Sequence, residues 1–145
     1  RADGRGMLNH QGSPLVMETV TGPATMERIQ QTLDLLWQQH PEVSGTARHH
    51  MELAASEIGA NVVKYAAEGQ PVSMRMQAEV SAGDIRVCFT DDGHPAPVDL
   101  AAVRMPPDLA EQGRGLAMAV AVLDQLSFQR DASVNRWTLV RRLTD

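Results

Sequence analysis

Residues 72–91 read VSMRMQAEVSAGDIRVCFTD, and this stretch indicates how the whole chain is organised. Apolar and polar residues alternate in two runs, which is the pattern of two β-strands that each bury one face. The four residues 81–84 lie between the runs and predict a turn, so the stretch predicts a β-hairpin. Residues 126–129 and 134–143 predict a second hairpin. Hairpins favour an antiparallel sheet over regularly alternating strands and helices.

Helices are predicted on either side of the first hairpin. The first helix begins with Pro23 in its opening position and ends at His40, with apolar residues spaced by three and four. The second, longer helix takes Ser44 as its N-cap. A third begins at Gly113, and a strand over residues 15–20 precedes all three helices. This order, β-α-α-β-β-loop-α-β-β, predicts an α+β two-layer sandwich with the helices packed on one face of a mainly antiparallel sheet.

Length and composition restrict the classes of protein. The 145 residues correspond to one compact domain, and the proportions of apolar (43%) and charged (21%) residues are those of a globular, soluble chain. A formal net charge of −5 supplies no basic surface for a phosphate backbone, so we expect no direct nucleic-acid partner. No run reaches the roughly 18 apolar residues of a membrane span. The single cysteine, Cys88, excludes an internal disulfide, and we expect a cytoplasmic protein.

Residues 1–13 differ from the rest of the chain. They contain three glycines and no apolar run, so we predict a disordered N-terminal segment or a remnant added for expression, and no signal peptide. Met7 is one candidate for the natural start, and a domain cut from a longer protein is the other interpretation. Residues 14–145 are predicted to form the domain itself.

Two polar side chains lie one helical turn apart on the second helix. Glu57 and Asn61 are four residues apart and therefore share a face of the helix, beside its apolar stripe. A carboxylate and a carboxamide in that arrangement supply a general base and a neutral oxygen ligand for Mg²⁺, the cation that accompanies phosphates. Such pairs are also common on solvent-exposed helix faces, which is the alternative interpretation.

A second polar group follows the strand that ends the first hairpin. Asp91, Asp92 and Gly93 come directly after an apolar run, where a buried carboxylate needs hydrogen-bond donors. The amino group of adenine is such a donor. A plain turn built from the same residue types is the alternative interpretation.

A third group stands where a loop becomes the third helix. Gly113, Arg114, Gly115 and Leu116 combine glycines with a positive side chain, and the N–H groups at a helix start bind anionic phosphate. On its own this pattern is weak, because Gly-x-Gly often marks only a loop. The preceding residues 93–112 contain four prolines and predict a long lid or binding loop.

These three groups, in this order and spacing, resemble the motif set of the gyrase/histidine-kinase (GHKL) ATPase superfamily, whose members have the Bergerat ATP-binding fold. The resemblance covers residues 15–143. In its closest form the chain is similar to the anti-sigma factor serine kinases, which have a short lid, an Asp-Asp-Gly turn followed by prolines and a Gly-Arg-Gly-Leu box. They also have an Asn-Arg pair near the end, here Asn135 and Arg136. Pro95 stands where the superfamily usually has a glycine, and it stiffens the hinge of the lid.

The resemblance implies a role for each matching residue in binding ATP and Mg²⁺. Glu57 would be the general base and Asn61 the Mg²⁺ ligand, while Asp91 would accept a hydrogen bond from the adenine amino group. Gly93 would be the close-approach glycine of its turn. The phosphates would be held beneath the lid by the box of Gly113, Arg114, Gly115 and Leu116.

The implied activity is that of an ATP-dependent protein-serine/threonine kinase. Such a protein binds a sigma factor and phosphorylates a serine of an anti-sigma factor antagonist, and in this way it regulates transcription. A non-catalytic nucleotide-binding module that regulates a partner by contact is one alternative, and the ATP-binding domain of a histidine kinase is another. The presence of both Glu57 and Asn61 favours an enzyme, and the strand and helix before the second helix disfavour a histidine kinase. The oligomeric state stays open, a homodimer included.

Overall fold

The computed structural model describes residues 13–66, 69–95 and 111–144, and these contain five β-strands and three α-helices. The strands are β1 (Leu15–Val20), β2 (Ser73–Ser81), β3 (Asp84–Asp91), β4 (Gln125–Asp131) and β5 (Val134–Arg142). The helices are α1 (Thr25–Gln39), α2 (Gly45–Asn61) and α3 (Glu111–Val122), and α2 continues into a π-helical turn over Val62–Ala66. The predicted α+β architecture is confirmed. Most of the predicted lid and nearly all of the predicted N-terminal segment lie outside the described residues.

The strands form one antiparallel sheet in the order β1-β2-β3-β5-β4. Both predicted hairpins are present, β2 with β3 and β4 with β5. Each turns through two residues with positive φ, Ala82 (53°) and Gly83 (85°) in the first and Ala132 (52°) and Ser133 (68°) in the second. Such a left-handed pair matches the twist of the flanking strands. The order places β3 beside β5, so the end of β3 meets the start of β5.

The register of the strands aligns inward-facing residues in rows across the sheet. One row is apolar throughout and consists of Met17, Met76, Phe89, Trp137 and Phe128. The rings of Phe128 and Trp137 pack with their centroids 4.7 Å apart. In the next row on the same face, nearer the end of β3, three neighbouring positions are Asp91, Asn135 and Arg130. The sheet therefore brings polar side chains from three strands together at one end of its core-facing side.

The helices cover that face of the sheet. The largest fully buried side chains of α1 and α2 are those of Ile29, Leu33, Leu36, Met51 and Ile58. α3 adds Leu116 and Ala119 to the same core. Among the helices that the structure describes, none combines the length and the apolarity that crossing a membrane requires.

The start of α1 differs from the prediction by two residues. The Thr25 N–H donates to the carbonyl oxygen of Gly22 at 3.1 Å, and the Thr25 hydroxyl accepts from the Gly22 N–H at 2.8 Å. These two bonds close a turn over residues 22–24. Pro23 therefore lies in that turn and precedes the helix.

The N-cap of α2 is confirmed and the start of α3 is corrected. Oγ of Ser44 accepts a hydrogen bond from the Ala47 N–H at 3.0 Å, which satisfies one of the free donors at the helix start. In the described part of the chain α3 covers Glu111–Val122, so it already includes the two residues before the predicted start at Gly113. The glycine box therefore lies within the helix.

Candidate functional site

Asp91 is the last residue of β3, and only 4% of it is exposed. Its Oδ1 accepts two hydrogen bonds, from the Gly93 N–H (2.8 Å) and from Nδ2 of Asn135 (2.8 Å). Its Oδ2 is buried as well, yet none of the residues that the structure describes donates a hydrogen bond to it. A buried carboxylate oxygen without a donor is costly. This atom therefore fits a donor that a ligand supplies, such as the amino group of adenine.

Asn135 and Arg130 hold the turn that follows Asp91. Asn135 is 1% exposed, and its Nδ2 also donates to the carbonyl oxygen of His94 at 2.8 Å. Arg130 extends from β4 and donates to Oδ1 of Asn135 at 2.8 Å and to the carbonyl oxygen of Gly93 at 3.0 Å. The turn is thus tied to β4 and β5 by side-chain hydrogen bonds.

Gly93 passes close to the end of the π-helical turn. A Cβ built on it would lie 2.7 Å from the carbonyl carbon of Ala66 and 2.8 Å from the Ala66 Cβ. The His94 N–H donates to the Ala66 carbonyl oxygen at 3.0 Å, which holds the two segments together. The close approach of Gly93 is therefore made to the backbone at Ala66.

The contact with Ala66 predicts that Gly93→Ala lowers the stability of the fold. The added methyl group meets backbone atoms, and the backbone can yield only by straining the His94 hydrogen bond. We expect the free energy of unfolding to fall by about 1–3 kcal/mol, as in other overpacked sites. Urea denaturation measures this. Gly45→Ala is the matched control, since a Cβ at Gly45 meets no atom within 4 Å; equal stability of both variants and the parent would contradict the prediction.

A narrow cleft of about 10 Å³, room for about one water molecule, connects Asn61 with Asp91. Its walls come from α2, from the π-helical turn, from the turn that follows β3, and from strand β5. The lining residues are Asn61, Val62, Ala66, Asp91, His94, Asn135 and Trp137. Asn61 is half-buried and stands immediately before the π-helical turn. π-helical turns are frequent at functional sites. Two of the three motifs found in the sequence thus line one cleft.

The third motif meets Glu57, one helical turn before Asn61. Gly115 is buried in α3, and a Cβ built on it would lie 2.8 Å from Cδ and 3.4 Å from Oε2 of Glu57. The Glu57 carboxylate therefore occupies the space that any other residue at position 115 would need. This contact brings the glycine box against the same helix that carries Asn61.

The remaining members of the glycine box lie at the start of α3. Gly113 and Arg114 are the third and fourth described residues of α3, and N–H groups in the first turn of a helix attract anions. Their side chains lie outside the described part of the chain. Leu116 is 3% exposed and packs in the hydrophobic core, so a contact between this residue and a nucleotide would involve its backbone.

Arg130 was not among the residues predicted to form the site, and Asn135 entered the prediction only through the resemblance to the anti-sigma factor serine kinases. The alternation of inward-facing and outward-facing residues along β4 and β5 could have identified both Arg130 and Asn135. Asn135 has the same parity as the buried Trp137, and Arg130 has the same parity as Phe128, so each places a polar side chain on the apolar side of its strand. A polar residue at such a position requires a partner, and here the partner is the turn after Asp91.

A family model described as "Histidine kinase-like ATPase domain" matches residues 21–141 of the chain. Comparison with the curated proteins finds no match.

Three solved structures illustrate the similarity of fold. The RsbU and RsbW domains of Rv1364c from Mycobacterium tuberculosis align with a TM-score of 0.63 and 20% identity, over 90% of this chain and 32% of that one. The histidine kinase domain of the Erythrobacter litoralis EL346 blue-light activated histidine kinase aligns with a TM-score of 0.53 and 17% identity, over 85% of this chain and 65% of that one. The catalytic domain of histidine kinase ThkA aligns with a TM-score of 0.55 and 11% identity, over 90% of this chain and 98% of that one. The chain spans about a third of the length of the first and just under two thirds of the second.

Proposed function

Because the chain belongs to the histidine kinase-like ATPase domain family, we propose that it binds ATP with Mg²⁺ between α2, the turn after β3 and α3, with Asn61 and Asp91 among the residues that contact it. We propose further that it is a protein-serine/threonine kinase, which phosphorylates a serine of an anti-sigma factor antagonist and binds a sigma factor. The observation that carries the proposed nucleotide binding is the buried Oδ2 of Asp91, to which no described residue donates. An amino group of the ligand satisfies this oxygen.

The proposed partners have two lines of support. The Asp-Asp-Gly turn followed by Pro95, together with the pair Asn135 and Arg136, resembles the pattern of the anti-sigma factor serine kinases. The chain is also similar in fold to a structure that includes an RsbW domain. Both partners are proposed as classes of protein, and a genome that encodes the chain would supply the individual candidates.

The proposal assigns a task to each part of the site. Oδ2 of Asp91 accepts a hydrogen bond from the base, while the carboxamide oxygen of Asn61 is a ligand of the kind that Mg²⁺ prefers. The N–H groups of Gly113 and Arg114 hold phosphate at the start of α3. These assignments place the base at Asp91 and the phosphates near Asn61 and the start of α3.

Glu57 is proposed as the general base for the phosphoryl acceptor. Its carboxylate takes the proton of the serine hydroxyl, and its contact with Gly115 restricts where that carboxylate lies. ATP, when bound, would supply the γ-phosphoryl group to the serine oxygen and leave as ADP. Phosphoryl transfer depends mainly on positioning and on neutralised charge, so one base and one set of phosphate donors suffice from the protein.

Transfer of labelled phosphate tests the proposed function directly. The purified chain is mixed with Mg²⁺, γ-labelled ATP and candidate antagonists from the same genome, and the product is analysed for phosphoserine. We expect label on one antagonist and on serine. ATP binding without transfer to any candidate would contradict the kinase and favour a non-catalytic module, and absence of ATP binding would contradict the whole proposal.

Gly115→Ala is expected to lower the rate of phosphoryl transfer at least tenfold while leaving the fold intact. The added methyl group displaces the end of a flexible side chain, so unfolding free energy should change by less than about 1 kcal/mol. The displaced group is the Glu57 carboxylate, however, and a small displacement of a catalytic group costs about 10²-fold in rate. Single-turnover kinetics and urea denaturation measure the two effects.

A double variant provides the control for this prediction. If Gly115→Ala acts through Glu57, it should have little further effect on the rate in a Glu57→Gln background, because coupled residues are not additive. Equal rate losses in both backgrounds would contradict the assigned contact.

A further inference from the structure

Arg130 forms the outer end of a chain of hydrogen bonds that ends at the Asp91 carboxylate. It donates to Oδ1 of Asn135 at 2.8 Å, and Nδ2 of Asn135 donates to Oδ1 of Asp91 at 2.8 Å. The three residues are neighbours in one row of the sheet, on β4, β5 and β3. Arg130 is exposed, whereas Asn135 and Asp91 are buried, so this chain of bonds runs from solvent to the cleft.

The Arg130 guanidinium and the acceptors around Nδ2 favour the same orientation of the Asn135 amide. Three acceptors surround Nδ2 of Asn135, namely Oδ1 of Asp91 and the carbonyl oxygens of His94 (2.8 Å) and Gly93 (3.4 Å). A reversed amide would turn its oxygen toward these acceptors and its NH₂ group toward a guanidinium, which has only donors. Arg130 therefore stabilises the one orientation in which Asn135 donates to Asp91.

This orientation leaves the two oxygens of Asp91 in different states. Oδ1 receives hydrogen bonds from Gly93 and Asn135, and these oppose rotation of the carboxylate. Oδ2 is a buried acceptor to which no described residue donates, and the bonds to Oδ1 restrict its movement. A fixed acceptor discriminates strongly between a base with an amino group and a base with an oxygen at the same position, because the second base places an acceptor against an acceptor.

We propose that Arg130 and Asn135 are positioning residues for recognition of the nucleotide base. They hold Asp91 so that its Oδ2 selects a 6-aminopurine over a 6-oxopurine, and neither residue needs to touch the base itself. The inference rests on the proposed ATP binding and adds to it the origin of the preference for adenine.

Removal of Arg130 should weaken this selection. The Asn135 amide is then no longer held from the solvent side, so one of the two hydrogen bonds to Oδ1 of Asp91 weakens, while the bond from the Gly93 N–H remains. A carboxylate with more freedom can turn an oxygen toward the N1–H of a 6-oxopurine, so it excludes that base less strongly. The affinity for ATP therefore falls while the affinity for ITP, which has an oxygen in place of the 6-amino group, falls less or rises.

Calorimetric titration of ATP and ITP, both with Mg²⁺, tests this inference on the parent, Arg130→Met and Arg136→Met. Arg136 is the matched control, since it is an exposed arginine next to Asn135 whose side chain lies on the other face of the sheet. We expect the ratio of the ATP and ITP affinities to fall about tenfold in Arg130→Met, the low end of the losses seen when a group that orients a ligand-binding side chain is removed. The ratio should be unchanged in Arg136→Met. Because Arg130 is exposed, the Tm of Arg130→Met should differ from that of the parent by less than about 3 °C.

The outcomes separate this inference from the function on which it rests. A parent that does not bind ATP contradicts the proposed function. If the parent binds ATP but the ratio of the ATP and ITP affinities is the same in the parent and in Arg130→Met, the positioning role is contradicted. A proportional loss of both affinities together with a large fall in Tm would also overturn it, because Arg130 would then act on the fold as a whole.

Discussion

Glu57→Gln is expected to lower phosphoryl transfer by about 10²- to 10⁴-fold while leaving the affinity for ATP within about threefold of the parent. Glutamine keeps the size and the position of the side chain beside Gly115 but cannot take a proton. The adenine end of the site, at Asp91, is untouched by the change. Single-turnover transfer of labelled phosphate to the antagonist measures the first effect, and calorimetric titration with ATP measures the second.

Glu27→Gln is the control for this substitution, since Glu27 is an exposed glutamate in the first turn of α1. It should leave both the rate and the affinity unchanged. Equal rates for Glu57→Gln and the parent would remove the general base from the proposal. Loss of ATP binding in Glu57→Gln would instead indicate that the carboxylate acts in the ground state, as part of the binding site.

Asp91→Asn is expected to weaken ATP and ADP alike, by about 10- to 100-fold. Asparagine can keep the acceptor that receives hydrogen bonds from Gly93 and Asn135, and it then presents an NH₂ group where Oδ2 was. That group is a donor and faces the amino group of adenine, another donor. A hydrogen bond to a charged group is worth about 1.5–3 kcal/mol, which corresponds to this range of affinities.

The neighbouring Asp92 offers the matched control. It is exposed, and its Oδ1 accepts a hydrogen bond from the Ser73 N–H at 3.2 Å, outside the cleft that joins Asn61 and Asp91. Asp92→Asn should therefore bind both nucleotides as the parent does. Unchanged affinity in Asp91→Asn, or equal losses in the two variants, would contradict the assignment of the base to Asp91.

Local patterns in the sequence were sufficient to predict most of the fold. Alternation over residues 72–91 predicted the central hairpin, and periodic apolar residues predicted the helices, because each element buries one face of its own. The Ser44 cap was predictable because its donor lies only three residues away. The predicted start of α1 at Pro23 was wrong because hydrogen bonds between Thr25 and Gly22 close a turn before the helix. The spacing of apolar residues alone does not reveal such a turn.

The candidate site was only partly predictable, because its contacts depend on the register of strands. Asp91, Glu57 and Asn61 could be identified one by one from their own surroundings. That Asn135 lies opposite Asp91 follows from the pairing of β3 with β5, two strands that are separated in the chain by α3 and β4. The contact of Glu57 with Gly115 likewise depends on how α3 packs on α2, which no local pattern specifies.

The long separation between the partners in this site also links the nucleotide to folding. Asn135 contacts Asp91 although 44 residues separate them in the chain. Gly115 contacts Glu57 although the β2–β3 hairpin lies between them in the chain. A partly folded chain that lacks either contact lacks the complete site, so a nucleotide that needs both binds only the finished fold. Mass action then adds to the free energy of unfolding, by about 2.7 kcal/mol at a free nucleotide concentration of 100 times Kd. In a cell, the lifetime of this protein would therefore depend on the supply of the nucleotide, quite apart from any phosphate it transfers.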